Sequence, residues 1–454
     1  MHIINPATGE SIREIKEDNR ETLNVKFKVL KTAQPGWCAL EIKQRVKILQ
    51  DFSIGLGNQI EMLAATLTSE IGKPLQQSRN EINGARTRIQ WLAENAEKYL
   101  RDEEMTKTSE LTEKISYEPL GVICNISAWN YPWLVGVNVF VTALLAGNAV
   151  MYKPSEYAVL TGFEIERMLK QCGLPEGVFQ LAVGAKHVGE LLLDLPFDGY
   201  FFTGSYKTGK YIYEKCASKM VPCQLEMGGK DPLYVANDIT NVKQVAEATA
   251  DGAFYNNGQS CCSVERIYVQ EDIYDDYLRE FVDTVKSWKI GEPTEAGVYF
   301  GPLTRKAQLE ILEKQVGDAV SRGARILTGG KRIPGKGYFF EPTVLADVTQ
   351  DMLVMKEESF GPVIGIMKVK NDEEAIKLMA DTEYGLTAAI YSSDKQRAEK
   401  MIRQFNTGSG YWNCCDRVSA SLPWSGRKHS GFGSALSHAG LLSFVRPKAW
   451  HMRG

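Results

Sequence analysis

The sequence predicts an α/β protein built from two doubly wound domains and a small additional β element. Three observations carry this expectation. Short apolar runs alternate with amphipathic helical stretches from Leu120 to about Tyr411, the alternation starts afresh after Glu226, and roughly the first hundred residues show helical spacing with few strand signals. Strand–helix alternation at this spacing favours parallel strands covered by helices on both faces. A chain of 454 residues has room for roughly two to four domains.

From Glu21 to Tyr99 the apolar series Ile48, Leu49, Phe52, Ile54 and Leu56 predicts helices. Arg101–Lys114 is mostly polar and precedes a candidate strand at Ile115-Ser116-Tyr117, which with the C-terminal residues could form the small third element. Gly121–Ile126 and Ala149–Tyr152 read as strands. Helices are expected at Leu160–Gln171, Val188–Leu193 and Thr208–Cys216, interleaved with strands at Val178–Val183, Tyr200–Phe202 and Cys223–Leu225. A second series follows, with strands at Leu233–Val235, Arg266–Val269, Val363–Val369 and Leu386–Tyr391. The two units join just after Glu226. Trp133–Tyr152 is apolar enough for a membrane span, but Asn138, Thr142, Gly147 and Asn148 interrupt it, which reads better as a buried helix turning into a buried strand.

Composition narrows the function. Hydrophobic residues make up 44% and charged residues 24%, ordinary values that permit a large core. The net charge of −3 gives no reason to expect nucleic acid or an anionic membrane as partner. Nine cysteines, odd in number and including the neighbours Cys261-Cys262 and Cys414-Cys415, suggest reduced thiols and a cytoplasmic protein rather than a disulfide framework. The N-terminal residues carry no secretory signal pattern. Five histidines lie scattered without ligand spacing, so no metal is expected.

The segment Asn256-Asn257-Gly258-Gln259-Ser260-Cys261-Cys262-Ser263 places a thiol after a polar Gly-Gln turn, read as flexible, and before an apolar strand. A cysteine there can face a cleft, although free cysteine more often just packs. Upstream, Glu226 ends an apolar run and precedes the pair Gly228-Gly229, which lets backbone approach closely. A thiol with an isolated carboxylate base is a workable covalent-catalysis pair. No Gly-x-Gly-x-x-Gly fingerprint follows the first strand. Phe202-Thr203-Gly204-Ser205 instead joins a strand to a helix whose N-terminus could hold phosphate, and Lys153-Pro154-Ser155-Glu156 could grip ribose hydroxyls. The run Gly426–Gly431 reads as a solvated loop.

At these residues the chain resembles the aldehyde dehydrogenase superfamily over essentially its whole length. The matching blocks, in order, are Asn5–Glu10, Trp129–Pro132, Lys153–Glu156, Phe202–Ser205, Glu226–Lys230, Gly258–Cys261, Glu358–Pro362 and Pro423–Gly426. The resemblance implies Cys261 as nucleophile, Glu226 as general base and Asn130 as oxyanion donor. It implies cofactor contacts at Trp129, Lys153, Glu156, Gly184, Gly189, Gly204, Ser205, Glu358 and Phe360. The implied substrate pocket is Tyr131, Val135, Asn138, Ser260, Cys262, Asp416, Val418 and Trp424. It also implies a Rossmann-like NAD-binding domain at 1–100 and 120–228, a catalytic domain at 229–432, and an oligomerisation element at 101–119 and 433–454, serving a homodimer or homotetramer.

The expected reaction is oxidation of an aldehyde to its carboxylic acid, through a thiohemiacetal and a thioester on Cys261, with NAD as hydride acceptor and NADP as the alternative. Glu156 favours NAD, because its charge would repel a 2′-phosphate. The wall positions named above contain no Arg or Lys, so an uncharged aromatic or aliphatic aldehyde is expected. Asp416 with Tyr131 and Trp424 leaves an amino-aldehyde open, and Arg417 leaves a semialdehyde open. A cofactor-independent thiol esterase using the same cysteine and glutamate is the rival of another class.

Overall fold

The computed structural model describes residues 1–454. Near the N-terminus lie four helices, Arg20–Cys38, Ile42–Asn58, Ile60–Ile71 and Leu75–Leu100. The first starts at Asn19, whose side-chain oxygen accepts from Thr22 N at 2.9 Å while Asn19 N donates to the Thr22 hydroxyl at 3.0 Å. This reciprocal cap satisfies donors that the first helical turn leaves unpaired. The third ends at Gly72, in the left-handed conformation (φ 84°) that a C-cap favours.

Six strands form the first large sheet, in the order Gly431–Phe432, Cys223–Met227, Gly199–Gly204, Val122–Ile126, Ala149–Lys153 and Phe179–Leu181. All neighbours are parallel except Gly431–Phe432. The chain leaves this sheet at Met227, turns through Gly228-Gly229-Lys230, and enters the second sheet at Asp231. The second sheet orders seven strands as Arg325–Thr328, Thr343–Ala346, Val363–Val369, Val264–Gln270, Asp231–Val235, Thr387–Tyr391 and Ser409–Trp412. Only Arg325–Thr328 runs antiparallel. Side chains alternate across the second sheet. Leu233, Val235, Ile267 and Val269 enter one core layer, whereas Tyr234 and Tyr268 enter the other. Burial on both faces explains why these strands are continuous apolar runs. A third sheet pairs Leu111–Pro119 with Val445–Arg453 and Glu103–Lys107, all antiparallel.

Two local expectations need correction. Gly431 and Phe432, placed with the second unit from sequence, extend the first sheet instead, pairing with Glu226 and Leu225. The outer edge of Cys223–Met227 needs backbone partners, and this returning segment supplies them. Within the run read as a solvated loop, Arg427–Lys428 pairs antiparallel with Tyr384–Gly385 while both of its side chains stay exposed.

No helix is long and apolar enough to cross a membrane. The apolar stretch in question is the helix Pro132–Leu145 followed by the strand Ala149–Lys153. Asn148 ties that corner together. Its amide donates to Ala143 O (3.1 Å) and Phe444 O (2.9 Å), and its oxygen accepts from Gly121 N (2.9 Å). Asn148→Leu keeps the bulk but leaves Gly121 N without a partner and takes a second donor from Ala143 O and Phe444 O, which keep Asn148 N and Leu120 N, so unfolding should become easier by roughly 1–3 kcal/mol. Urea unfolding followed by circular dichroism measures it, and an unshifted midpoint would refute the role given to Asn148.

Candidate active site

The turn before Cys261 is rigid, contrary to its reading as flexible. After the helix Val242–Phe254, three consecutive residues take left-handed backbone: Asn256 (φ 55°), Asn257 (φ 57°) and Gly258 (φ 67°). Buried side chains hold them there. Asn257 Nδ2 donates to Gly301 O and Pro302 O, each at 2.8 Å, and Asn256 Nδ2 donates to Asn130 O (3.2 Å) and Gln259 O (3.1 Å). Asparagine tolerates this conformation better than most residues, and the hydrogen bonds offset the remaining strain. The chain then presents Cys261, which is partly accessible, and Cys262, which is buried, before the strand Val264–Gln270. Cys262 Sγ and Ser260 Oγ both donate to Asp416 Oδ1 at 3.0 Å.

Glu226 lies within the strand Cys223–Met227 and accepts from Gln224 Nε2 at 3.1 Å. Burial pushes its carboxyl up to about 7, opposed by the Gln224 hydrogen bond and the charge of Arg88. A side chain at Gly228 would collide with the Glu358 carboxylate, and Gly229 N donates to Glu358 Oε1 at 3.1 Å. The glycine pair therefore lets a loop of the second sheet close onto the first.

Asn130 sits just before the helix Pro132–Leu145. Its amide donates to Gln259 O at 3.1 Å, which joins it to the Cys261 turn. Its carbonyl accepts from Lys73 Nζ at 2.8 Å. Lys73 also pairs with Glu81, both side chains wholly shielded from water, and Glu81 accepts from Trp133 N at 2.9 Å. The Lys73 ammonium lies 3.8 Å from the centroid of the Tyr131 ring.

Cys261, Glu226 and Asn130 line one cleft of about 1320 Å³. Toward one end it is lined by Trp129, Lys153, Glu156, Gly189, Gly204, Ser205, Glu358 and Phe360. Lys153 Nζ bonds only Pro154 O, at 3.2 Å, and burial pulls its pKa down with Glu156 opposing. Thr203 Oγ1 is buried without a partner in the protein. The helix Tyr206–Ala217 begins at Ser205 with no side chain capping its first N–H groups. A lone hydroxyl, a buried ammonium without a carboxylate partner and an open helix N-terminus fit ribose hydroxyls and a pyrophosphate. The Trp129 and Phe360 rings meet edge to face at 5.4 Å. Gly184 is the exception, since it does not line the cleft. Its φ of 153° and the close packing of Val188 against it mark a chain turn before the helix Lys186–Asp194.

The other end gathers Tyr131, Val135, Asn138, Ser260, Cys262, Asp416, Val418 and Trp424. It also gathers residues that the sequence reading missed. Asn80, Gly84, Thr87 and Arg88 project from the helix Leu75–Leu100. Spacings of four, three and one put them on one helical face, opposite the apolar series Ile82, Ala85, Ile89, Leu92 and Ala96. That periodicity was the available signal. The eight wall positions read from the sequence hold no Arg or Lys, but Arg88, which was not among them, and Arg417 also line the cleft.

Comparison with known proteins agrees with this geometry. A model of the aldehyde dehydrogenase family matches residues 1–450. The chain belongs to that family. It is an NAD(P)-dependent oxidoreductase acting on small-molecule aldehydes. The peroxisomal aminoaldehyde dehydrogenase 2 of Pisum sativum is 35% identical, covering 98% of this chain and 91% of its own. Lactaldehyde dehydrogenase from Escherichia coli is similar in structure, with a TM-score of 0.95 at 32% identity, covering 100% of this chain and 95% of that one. A 3,6-anhydro-L-galactose dehydrogenase solved in complex with NAP gives a TM-score of 0.95 at 30% identity, over 100% and 96% of the two chains.

Proposed function

We propose that this aldehyde dehydrogenase works through Cys261, Glu226 and Asn130, and that its substrate is a small polar aldehyde. The Cys261 thiolate attacks the aldehyde carbon, and the Asn130 amide stabilises the developing oxyanion. Its tie to Gln259 O supports this role by fixing the amide beside the cysteine turn. NAD(P), when bound, supplies the hydride acceptor. The thioester left on Cys261 is hydrolysed by a water whose proton passes to a Glu226 carboxylate oxygen, releasing the carboxylic acid and the free thiol. The observation that carries the reading is the convergence of these three side chains on one cleft beside a nucleotide-shaped donor set. Formation of reduced cofactor with an aldehyde tests it. Ester hydrolysis without cofactor, and no reduction, would favour the thiol esterase.

The substrate expectation changes with the structure. Arg88, Asn138, Ser260 and Asp416 make the reacting end polar, which argues against a plain aromatic or aliphatic aldehyde. The aminoaldehyde and lactaldehyde dehydrogenases among the similar proteins support polar substrates. An amino-aldehyde is the second reading, favoured by Asp416 beside Tyr131 and Trp424. A cytoplasmic location and assembly as a homodimer or homotetramer belong to the same proposal. The assembly is supported by the unpaired outer edges of Glu103–Lys107 and Val445–Arg453.

Cys261→Ser should abolish turnover while Cys262→Ser retains most of it, since the second thiol is already engaged with Asp416. Equal losses would overturn the assignment of the nucleophile.

Glu226 must be deprotonated to act as base. With its pKa raised to about 7, hydrolysis of the thioester should accelerate as pH climbs through about 7 and level off above it. Glu226→Gln should erase that inflection and leave a burst of about one reduced cofactor per site before a slow steady phase. A variant with the parent's steady state removes Glu226 from the mechanism.

NAD should be preferred over NADP, because the Glu156 carboxylate lines the cofactor end, where its charge opposes a 2′-phosphate. A kcat/KM ratio favouring NADP would contradict this.

A further inference from the structure

Arg88 is a buried cation with no anion of its own. It is only 9% exposed, and its Nη1 donates to Asn138 Oδ1 at 2.8 Å and to Leu134 O at 3.3 Å. Nε and Nη2 bond nothing in the protein, and no carboxylate forms an ion pair with the guanidinium. The carboxylates whose charge reaches it are Glu226, in the reacting centre, and Glu81, which is already paired with Lys73. A permanently charged group so largely withdrawn from water is costly, and since Nε and Nη2 are not sealed in but open on the cleft, its presence at the wall calls for an anion that arrives from outside.

Asp416, the opposite charge in this end of the cleft, is situated differently. Its carboxyl already accepts from Ser260 and Cys262, and burial raises its pKa toward the neutral form. An aspartic acid can relieve its burial by taking a proton; an arginine cannot. Of the two, only Arg88 is left with an unmet electrostatic demand.

We propose that Arg88 determines specificity by binding the carboxylate of an aldehyde acid, its Nε and Nη2 facing the two oxygens. The planar fork of a guanidinium matches a carboxylate in this two-point manner. Asn138 holds the guanidinium by its remaining edge and so fixes the direction of the fork. The inference rests on the aldehyde dehydrogenase reading of the same cleft, and it selects the anionic aldehydes among the polar ones.

The test compares three aldehydes of equal length that differ at the far end: succinate semialdehyde, butanal and 4-aminobutanal. The parent enzyme should give a kcat/KM for succinate semialdehyde at least about 10-fold above the other two. Arg88→Gln should lower that value by about 10- to 100-fold, mainly through KM, as expected for loss of a charge-assisted hydrogen-bonded pair. The loss should exceed that for butanal at least ten times, and Arg88→Lys should restore part of it. Equal losses on all three aldehydes would mean that Arg88 serves Cys261 and Glu226 instead, and would overturn the proposal. So would a parent enzyme that prefers butanal or 4-aminobutanal, a result that needs no folded variant. If no aldehyde yields reduced cofactor, the aldehyde reading fails by itself. Calorimetric binding of succinate to the parent chain and to Arg88→Gln then decides the role of Arg88: weaker binding to the variant supports it, and equal binding or none refutes it.

Discussion

A lysine and a glutamate sealed from water hold the reacting centre in place. Lys73 reaches the carbonyl of Asn130, Glu81 reaches the backbone N–H of Trp133, and the two are ion-paired between those contacts. Such a pair adds little net stability compared with apolar residues of the same volume, yet removing one partner typically costs about 3–5 kcal/mol. Its effect here is geometric. The backbone on both sides of Tyr131 is pinned, so the Asn130 side chain has one direction left and the helix Pro132–Leu145 one entry angle. The N-terminal helices thereby contribute to a cleft whose other walls come from the two large sheets.

The same solution recurs on the far side of the cleft. Lys230 and Glu265 form a second buried pair at 2.6 Å. Glu265 also accepts from Ser359 N (2.9 Å) and Phe360 N (3.0 Å), which fixes the loop that carries Glu358. Phe360 is thereby held with φ 46°, a conformation that its own side chain disfavours, and its ring is delivered against Trp129. In both cases a buried charge pair organises polar backbone that no regular strand or helix could satisfy. The Glu358 loop closes onto Gly228-Gly229, where only the absence of side chains permits the approach, and it meets the segment before Asn130 through the Trp129 and Phe360 rings.

Much of this was legible in the sequence. The parallel strands announce themselves because burial on both faces makes them apolar throughout, and Cys261, Glu226 and Asn130 stand in distinctive short blocks. The rest was hidden for identifiable reasons. Lys73, Glu81 and Arg88 lie in a helical region rich in charge, where a polar residue ordinarily faces water; only the tertiary packing turns these three inward. The pairing of Gly431 with Glu226 joins segments far apart in sequence. Gly258-Gln259 has the composition of a mobile turn, but its order is imposed by Gln259 and Asn257 side chains bonded to Thr304 N, Gly301 O and Pro302 O. Gly184 belongs to a chain turn that resembles a binding glycine only by position.

Arg88 links recognition to catalysis by charge alone. It favours the ionised form of Glu226, while burial works against that form. A carboxylate seated on the guanidinium offsets part of that positive charge, so the balance at Glu226 moves toward the protonated form while the substrate is held. Linkage makes the effect reciprocal: deprotonation of Glu226 weakens the hold on the carboxylate. The hydrolysis step needs an ionised Glu226, and the water proton it takes neutralises that carboxylate while the new carboxyl forms at the opposite end of the substrate from Arg88. The step therefore moves negative charge within the cleft without adding to it. The repulsion between Glu226 and a carboxylate seated on Arg88 is present before hydrolysis and is relieved by the proton transfer that hydrolysis requires.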